Sequence, residues 1–314
     1  MNSRERFTQF LSGTAYSDGV PAALFQHFDP SARHGQAALN AQLSFYRCTG
    51  MDMVKLMFDD IYPKITTVRE AADWRNIPEF RRDDPVFTQQ IELARQMVRT
   101  VGGEAPVFQT IFTPFVSAGC AVSPILEWDK VVTPHFAQDP EAMREGLEKI
   151  GRRLSEFARE IAETGIDGFY VSVQGGEYGR YSQEFFNTWF KPVDLAFLNA
   201  LKATGKLVFI HICGVDMRLD DYKDYPADII NLAMEGNGLT LRGAQELFGR
   251  PIMGGLDNNG VICTGTEREI RAEVDRVLRG APGDIMLGAD CTIPAQVPRQ
   301  NLRWAVEAAH EFSR

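Results

Sequence analysis

The chain has 314 residues, of which 44% are hydrophobic and 24% charged, a composition typical of a globular protein with a substantial core. Its net charge of −9 disfavours nucleic-acid binding, because an acidic surface repels phosphate backbones. The N-terminal residues predict a short amphipathic helix without a secretory apolar region, and no segment approaches the roughly 18 apolar residues of a membrane span, so we expect a cytoplasmic protein.

Short apolar runs rich in Val, Ile and Phe recur along the chain after the N-terminal helix. Runs of this kind are typical of strands that are buried on both faces of a parallel sheet. The eight predicted strands are residues 21–29, 52–60, 106–114, 165–173, 206–213, 228–235, 251–257 and 284–291.

Amphipathic segments between most of these runs predict helices, and several begin with capping signals. Asp139 followed by Pro140 is typical of an N-cap and a first helical position. Ser182 is a second N-cap candidate, and Pro192 predicts a break within the helix that Ser182 begins. The predicted helices cover residues 84–103, 139–165, 182–205, 239–249, 266–280 and 298–314.

Eight strands that alternate with helices favour an α/β fold, a single (β/α)8 TIM barrel. We expect one domain over residues 1–314, with residues 1–20 as an N-terminal helical extension. An open doubly wound sheet is the alternative, and it usually carries a Gly-rich phosphate loop after an early strand. The glycines at 175–179 and 254–260 do not match that pattern.

The five cysteines are widely spread along the chain and odd in number. In a reducing compartment they are expected to be free thiols or metal ligands rather than disulfides. They are Cys48, Cys120, Cys213, Cys263 and Cys291.

Residues that can bind a metal stand where predicted strands end: His211 and Cys213, then Glu235, then Cys291. Side chains two apart on a strand share a face, and chemistry in such barrels lies at the carboxyl ends of the strands. One imidazole, two thiols and one carboxylate form a suitable ligand set for Zn²⁺. Taken alone, a His-x-Cys pair in a buried strand is more often packing, and Glu235 could equally cap a helix or act as a base.

Further polar side chains at or just beyond strand ends are candidates for substrate binding. For each, a helix cap, a salt bridge or the ordering of a loop is the alternative. Lys55 lies within the predicted second strand, where a buried charge needs a partner, and Asp59 is on the same strand face. The candidates are His27, Asp59, Tyr178 and Asp257.

The segment FIHICG, followed by DIINLAME, GGLD, LGADCTIP and PRQNLRWAVEAAHEF, resembles the uroporphyrinogen decarboxylase superfamily. The resemblance covers most of the chain and is strongest from residue 165 onward. Gln174, just beyond the predicted fourth strand, resembles a position near the substrate in this superfamily, so it is a fifth candidate for substrate binding, with the ordering of a loop as the alternative. In the zinc-dependent methyltransferases of this superfamily, a His-x-Cys pair is followed by a Glu and then by a distant Cys. The resemblance therefore implies zinc ligation by His211, Cys213 and Cys291, with Glu235 as a displaceable fourth ligand that can also receive a proton.

These methyltransferases take a methyl group from a corrinoid protein, or a related donor, to a thiol such as coenzyme M. The resemblance implies the same class of reaction here, with a small thiol or related acceptor. No corrinoid-binding domain is visible in the sequence, so a corrinoid would arrive on a separate protein. The sequence identifies neither the donor nor the acceptor.

The true decarboxylases, which act without a metal, are the alternative branch. They carry a Met-Arg-Gln-Ala-Gly-Arg segment near the first strand and a His near the eighth. Here Arg33 is present but the segment is not, and Cys291 stands at the position of the His. Both departures disfavour decarboxylation. A non-catalytic zinc-holding scaffold or corrinoid-protein partner is a third hypothesis.

Overall fold

The computed structural model describes residues 1–13, 19–283 and 285–313, with Leu126 described by its backbone only. Seven strands within these residues form one parallel sheet in which neighbouring strands follow the order of the chain. They are β1 (Val54–Leu56), β2 (Val107–Phe112), β3 (Gly168–Val173), β4 (Leu207–Ile212), β5 (Ile229–Leu232), β6 (Ile252–Leu256) and β7 (Ile285–Ala289).

Helices precede the sheet and connect most of its strands, as expected for a barrel-like α/β fold. The α-helices are α1 (Ser3–Ser12), α2 (Gly35–Thr49), α3 (Pro85–Val101), α4 (Pro114–Val122), α5 (Asp129–Gln138), α6 (Pro140–Ala162), α7 (Gln183–Phe185), α8 (Lys191–Lys202), α9 (Leu241–Phe248), α10 (Val261–Thr264), α11 (Glu267–Gly280) and α12 (Arg299–Glu311). Short 3₁₀ turns lie at Pro30–Ala32, Ala71–Asn76, Ile125–Glu127, Leu219–Tyr222 and Glu235–Asn237, and a π-helical turn at Phe186–Phe190.

The predicted first strand, residues 21–29, is not a strand in the structure. Only Ala22 forms a bridge, parallel to Leu287 of β7. The Ala22 carbonyl also accepts a 2.8 Å hydrogen bond from the Asp52 N–H, just before β1. This segment therefore links the two edge strands of the sheet through a single bridge and does not form a longer strand. Pro21 limits the pairing because it has no N–H to donate. The fold is TIM-barrel-like, with seven strands and a single bridge in the eighth position.

The other seven predicted strands each contain an observed strand, but the observed strands are shorter. The predicted sixth strand ends at Leu232 rather than at Glu235, and the predicted eighth begins at residue 284, outside the described residues. Helices α2, α4, α5 and α10 were not predicted. For α4 the reason is burial, since eight of its nine residues are buried and an amphipathic stripe is therefore missing.

The predicted helix signals are confirmed. The Asp139 carboxylate accepts a hydrogen bond from the Ala142 N–H at the start of α6, and the Ser182 hydroxyl accepts one from the Phe185 N–H. The break at Pro192 is the π-helical turn that precedes α8. This is the expected effect of a proline, which removes one N–H from the helical pattern.

A single hydrophobic cluster fills the sheet interior and the space between sheet and helices. The N-terminal extension belongs to it, because Phe7 and Phe10 of α1 are buried and Phe7 packs 5.5 Å from the ring of Phe108 on β2. No helix in the described ranges has the length and apolar character needed to cross a bilayer. The carboxyl ends of the strands, by contrast, carry polar side chains.

Candidate metal centre

Strands β4 and β7 bring together the three residues that the sequence singled out most clearly. His211 lies on β4, Cys213 follows directly after that strand, and Cys291 follows two residues after β7. A ring nitrogen of His211 and the two sulfur atoms all lie within 4.8 Å of one another. His211 is buried and both cysteines are half-buried, so the three ligand atoms form a compact group at the carboxyl end of the sheet.

Asn231 of β5 holds the imidazole of His211 in one orientation. The two residues are register partners, and the His211 Nδ1 lies 2.6 Å from the Asn231 Oδ1. The Asn231 Nδ2 donates to the carbonyls of Met253 and Ala289, both at 3.0 Å, so its Oδ1 is the acceptor. The His211 Nδ1 therefore carries the proton, and its Nε2 lone pair is available to a cation.

A hydrogen bond between the two thiols moves their pKa values in opposite directions. A hydrogen bond from the Cys213 S–H lowers the pKa of Cys291 far below its usual range, and His211 lowers it further. The same hydrogen bond, together with burial, raises the pKa of Cys213 well above its usual range. Two sulfur atoms, one of them favoured as a thiolate, and an imidazole nitrogen together form an attractive environment for a thiophilic cation.

The three residues form part of the wall of a cavity of about 310 Å³. Its apolar wall comes mainly from the ends of β1 and β2 and from the segment around α4, including Phe112, Val116 and Trp128. The remaining polar lining residues are His27, Lys55, Asp59, Thr110, Tyr170, Ser172, Gln174 and Thr292. Of the five substrate-binding candidates, His27, Asp59 and Gln174 thus lie in the same cavity as the thiols.

An imidazole and a guanidinium group contact the carboxylate of Asp59 at one side of this cavity. Its carboxylate, only 6% exposed, lies 2.7 Å from the His27 Nδ1 and 3.2 Å from the Arg33 Nε. The sequence suggested Asp59 as the partner of Lys55, but no ion pair joins these two residues. Asp59 instead orients His27, whose side chain remains partly exposed.

Lys55 projects from β1 into the interior, where its ammonium packs on aromatic rings. The Nζ lies 4.3 Å from the ring centroid of Tyr170 and 4.8 Å from that of Phe25. Burial lowers the pKa of Lys55 to about 8, while the negative charges of Cys291, Asp59 and Cys213 act in the opposite direction. Lys55 thus places a positive charge in the cavity wall, close enough to the thiols for their charges to affect it.

Residues 49–312 match the uroporphyrinogen decarboxylase (URO-D) family. The chain belongs to this family. Among curated proteins it is similar to the methylcobamide:CoM methyltransferase MtbA of Methanosarcina mazei, with 25% identity over 157 residues, which cover 50% of the chain and 45% of that relative. The match therefore spans less than half of the relative's length.

Two solved structures have a fold similar to that of this chain. A methyltransferase from Methanosarcina mazei superimposes with a TM-score of 0.76 at 17% identity, over 99% of both chains. A B12-independent methionine synthase from Shewanella sp. W3-18-1 gives a TM-score of 0.54 at 16% identity, over 94% of this chain and 93% of that one.

The structure does not bring Glu235 to the three other predicted ligands. Strand β5 ends at Leu232, and the chain then turns as the Met234 N–H donates a 3.1 Å hydrogen bond to the Asp290 Oδ1. Glu235 begins the following 3₁₀ turn with an exposed side chain. It lines a separate cavity of about 330 Å³. The sequence placed Glu235 at a strand end, and the early end of β5 is the reason that it lies elsewhere.

Asp257 and Tyr178 also lie outside the cavity that contains the thiols. Asp257 lines the same separate cavity as Glu235 and Asp290. Tyr178 is 52% exposed, and its ring packs on the guanidinium of Arg218 at 5.0 Å. Their role in substrate binding stays a prediction that this arrangement of side chains does not favour.

Sequence reasoning missed the residues that surround the three candidate ligands. Asn231 is a polar residue within the apolar run DIINL. The residues two positions before and after it, which share its face of the strand, are apolar, so its polar side chain was a usable signal. Thr110 and Ser172 occupy similar inward positions on β2 and β3. Hydroxyl side chains are common in strands, so no signal in the sequence separates these two from others.

Proposed function

We propose that the chain is a zinc-dependent methyltransferase that transfers a methyl or alkyl group to a thiol acceptor. The observation that carries this proposal is the group of His211, Cys213 and Cys291, whose ligand atoms lie within 4.8 Å of one another in a cavity wall. The cavity leaves room beside the group for a small substrate. The similarity to methyltransferases of Methanosarcina mazei supports the reaction class.

The residues present suit zinc by their chemistry. Two sulfur ligands and one imidazole favour Zn²⁺ over Mg²⁺ or Ca²⁺, which prefer oxygen ligands. The lowered pKa of Cys291 favours the thiolate that zinc binding requires, and Cys213, whose pKa is raised, loses its proton when zinc binds. Three protein ligands with access to a cavity are typical of a catalytic rather than a structural zinc site.

Each residue then has a defined role. Cys213, Cys291 and the Nε2 of His211 hold the metal, and Asn231 keeps the imidazole in the tautomer that exposes Nε2. Zinc, when bound, lowers the pKa of a coordinated thiol so that the thiol reacts as a thiolate at neutral pH. The apolar wall around Phe112 excludes water and orients the acceptor towards the methyl donor.

His27 is the better-placed group to receive the proton that the acceptor thiol loses. Asp59 accepts a hydrogen bond from its Nδ1, which leaves Nε2 as a proton acceptor, and both residues line the cavity. Glu235, which the sequence indicated for this role and for zinc ligation, is exposed and lines a different cavity. Its two roles therefore remain predictions that rest on the resemblance alone.

The proposed methyl donor is a methylated corrinoid carried by a separate protein. Its support is the name of the similar relative, a methylcobamide:CoM methyltransferase. The proposed acceptor is a small thiol, and a cavity of about 310 Å³ is at the small end of the range for ligand sites. We propose that the protein acts in the cytoplasm, without contact to nucleic acid or membrane.

Metal-free decarboxylation is the alternative, and the cavity offers little support for it. A substrate with many carboxylates needs several cationic side chains, yet no arginine is among the described residues that line the cavity. Arg33 is engaged with Asp59 and with the carbonyl of Phe28. Turnover of uroporphyrinogen by protein that has been stripped of metal would favour this alternative.

The metal content of the purified protein tests the proposal. We expect about one zinc per chain in the wild type and a loss of zinc in Cys291→Ser, because serine does not replace a thiolate ligand. Cys48→Ser is the matched control, since the Cys48 thiol lies on α2, away from the cavity, and donates to the carbonyl of Phe45. Methyl transfer from methylcobalamin to small thiols should be lost together with zinc.

Two results would contradict the proposal. One is a wild-type protein that binds no zinc after reconstitution. The other is a Cys291→Ser protein that keeps both zinc and methyl transfer, because the proposed site would then not be the one in use.

A further inference from the structure

Helix α6 presents a row of charged side chains to the surface of the protein. The members of this row recur every three or four residues, so they lie on one face of the helix. They are Glu141, Arg144, Glu148, Arg152, Glu156 and Arg159. Their signs alternate, which makes the row neutral on a chain whose net charge is −9. This face therefore lacks the excess of negative charge that keeps acidic molecules apart.

Contacts within the chain neutralise this row only in part. The Arg144 Nε lies 3.7 Å from the Glu148 Oε1, and the two side chains are 45% and 54% exposed. Glu156 lies 3.4 Å from Arg153. The other two arginines of the row form no ion pair with any residue that the structure describes. Exposed pairs at such distances are weak, so most charges of the row are available to another molecule.

A groove of about 470 Å³ runs between α6 and α8 beside this row. Leu147 and Gly151 of α6 and Val193 and Phe197 of α8 form its buried, apolar floor. The three arginines of the row and two of its glutamates line the same groove. The groove is larger than the cavity of about 310 Å³ that contains the thiols. An apolar floor with a charged border is the arrangement found in protein–protein interfaces.

The order of the charges along α6 is self-complementary. Residues at equal distances before and after the level of Ile150 carry opposite charges. The three pairs are Glu148 with Arg152, Arg144 with Glu156, and Glu141 with Arg159. When two copies of α6 pack antiparallel about a two-fold axis at that level, each residue faces its counterpart in the other copy. The row extends over about 27 Å, and two helices that cross at about 20° stay in contact over such a length.

We propose that two copies of the chain form a homodimer through α6 and the adjoining groove, about a two-fold axis near Ile150. The arginine stems of one copy cover the apolar floor of the groove in the other, and their guanidinium groups reach its carboxylates. A parallel pair of helices would bring like charges together, so the charges specify the antiparallel arrangement. The inference is independent of the proposed function, because the groove and the cavity beside the candidate metal centre share no residues.

The dissociation constant of the dimer, measured by sedimentation equilibrium on the full chain, tests this interface. Glu148→Arg and Arg152→Glu each replace two attractive contacts across the axis with two repulsive ones. Each variant alone should therefore dimerise at least about 10-fold more weakly than the wild type. Asp275→Arg is the control, because it makes the same charge change as Glu148→Arg at a 47% exposed residue of α11, and it should leave the dissociation constant unchanged.

A mixture of the two variants separates contacts across the axis from an effect within one helix. When a Glu148→Arg chain meets an Arg152→Glu chain, both contacts regain opposite charges. We expect the mixture to form a heterodimer about as tightly as the wild type dimerises. Arg144→Glu and Glu156→Arg provide a second set for the same test if circular dichroism shows that either of the first two is unfolded.

Three results would overturn the inference. The first is a wild type that stays monomeric at every concentration. The second is a wild-type dimer that both variants retain with an unchanged dissociation constant, because the interface would then lie on another face. The third is a pair of folded, monomeric variants whose mixture does not associate.

Discussion

At the scale of single residues, Asn231 has the largest share in organising the candidate metal centre. Its side chain makes four hydrogen bonds, to His211, to the Tyr170 hydroxyl and to the carbonyls of Met253 and Ala289. These partners lie on four strands other than its own, from β3 to β7. One buried amide therefore fixes both the tautomer of a candidate ligand and the spacing of the strands that carry His211 and Cys291.

Replacing Asn231 with alanine should weaken zinc binding. Without the acceptor at Nδ1, the imidazole of His211 can rotate and can adopt the tautomer with a proton on Nε2. Loss of such an orienting hydrogen bond typically lowers metal affinity about 10- to 100-fold. Competition with a chromogenic chelator measures this affinity. Tyr170→Phe is the control, because it removes one donor to Asn231 and keeps the ring contact with His211. A folded Asn231→Ala protein with wild-type zinc affinity would refute the orienting role.

At the scale of secondary-structure elements, the sequence predicts helix starts better than strand ends. The N-caps at Asp139 and Ser182 depend on neighbouring residues only, and they were found correctly. The end of β5 depends on Asp290, a residue far along the chain whose carboxylate accepts from the Met234 N–H. A local pattern cannot contain that hydrogen bond, so Glu235 was placed at a strand end that the fold does not have.

Helix α8 carries a buried carboxylic acid that should make stability depend on pH. Asp194 is 1% exposed and accepts a 3.1 Å hydrogen bond from the Tyr225 hydroxyl. Burial raises the pKa of Asp194 to about 8, from an ordinary value of 3.8. The folded state therefore keeps the proton between these two pH values while the unfolded state has lost it. The contribution to stability is complete below the lower value and is lost as the pH rises through the upper one.

Asp194→Asn should remove this dependence, because asparagine stays neutral and still accepts from Tyr225. Between about pH 4 and about pH 8, the unfolding free energy of the variant should rise relative to the wild type, by at most about 1.4 kcal/mol per pH unit. Denaturant titrations at several pH values measure the difference. The control is Asp220→Asn, whose carboxylate is 74% exposed and should follow the wild type. A wild type and Asp194→Asn variant with parallel pH profiles would show that Asp194 is ionised in the folded protein.

At the scale of the whole molecule, the alternation of strands and helices was sufficient to predict the parallel sheet and its strand order. The closure of the sheet between β7 and β1 could not be predicted from this alternation. Residues 21–29 are apolar enough for a strand, but Pro21 and contacts with distant segments limit pairing to the Ala22 bridge. The convergence of His211, Cys213 and Cys291 followed from the barrel hypothesis itself, since strand ends of one sheet share an edge.

Asp52 connects the segments that meet where the sheet closes. It is fully buried, and its carboxylate accepts hydrogen bonds from the Arg6 Nε of α1 at 2.7 Å and from the Ala22 N–H at 2.8 Å. The His310 Nε2 of α12 lies 2.7 Å from the same carboxylate. One side chain therefore holds the first helix, the bridging segment and the last helix together, across almost the full length of the chain.

Asp52→Ala should consequently destabilise the whole fold rather than one element. The change leaves the Ala22 N–H and a largely buried Arg6 without an acceptor, and breaking a buried ion pair from one side costs about 3–5 kcal/mol. Glu92→Ala is the control, since it removes an exposed pair with Arg95 within α3, for which a loss of about 0–1 kcal/mol is expected. Denaturant unfolding measures both values, and hydrogen exchange at the Ala23 and Leu287 amides, which donate across the bridge, should increase in Asp52→Ala alone. If Asp52→Ala lost no more stability than the control and kept these amides protected, the closure would depend on apolar packing of the two terminal helices and not on this carboxylate.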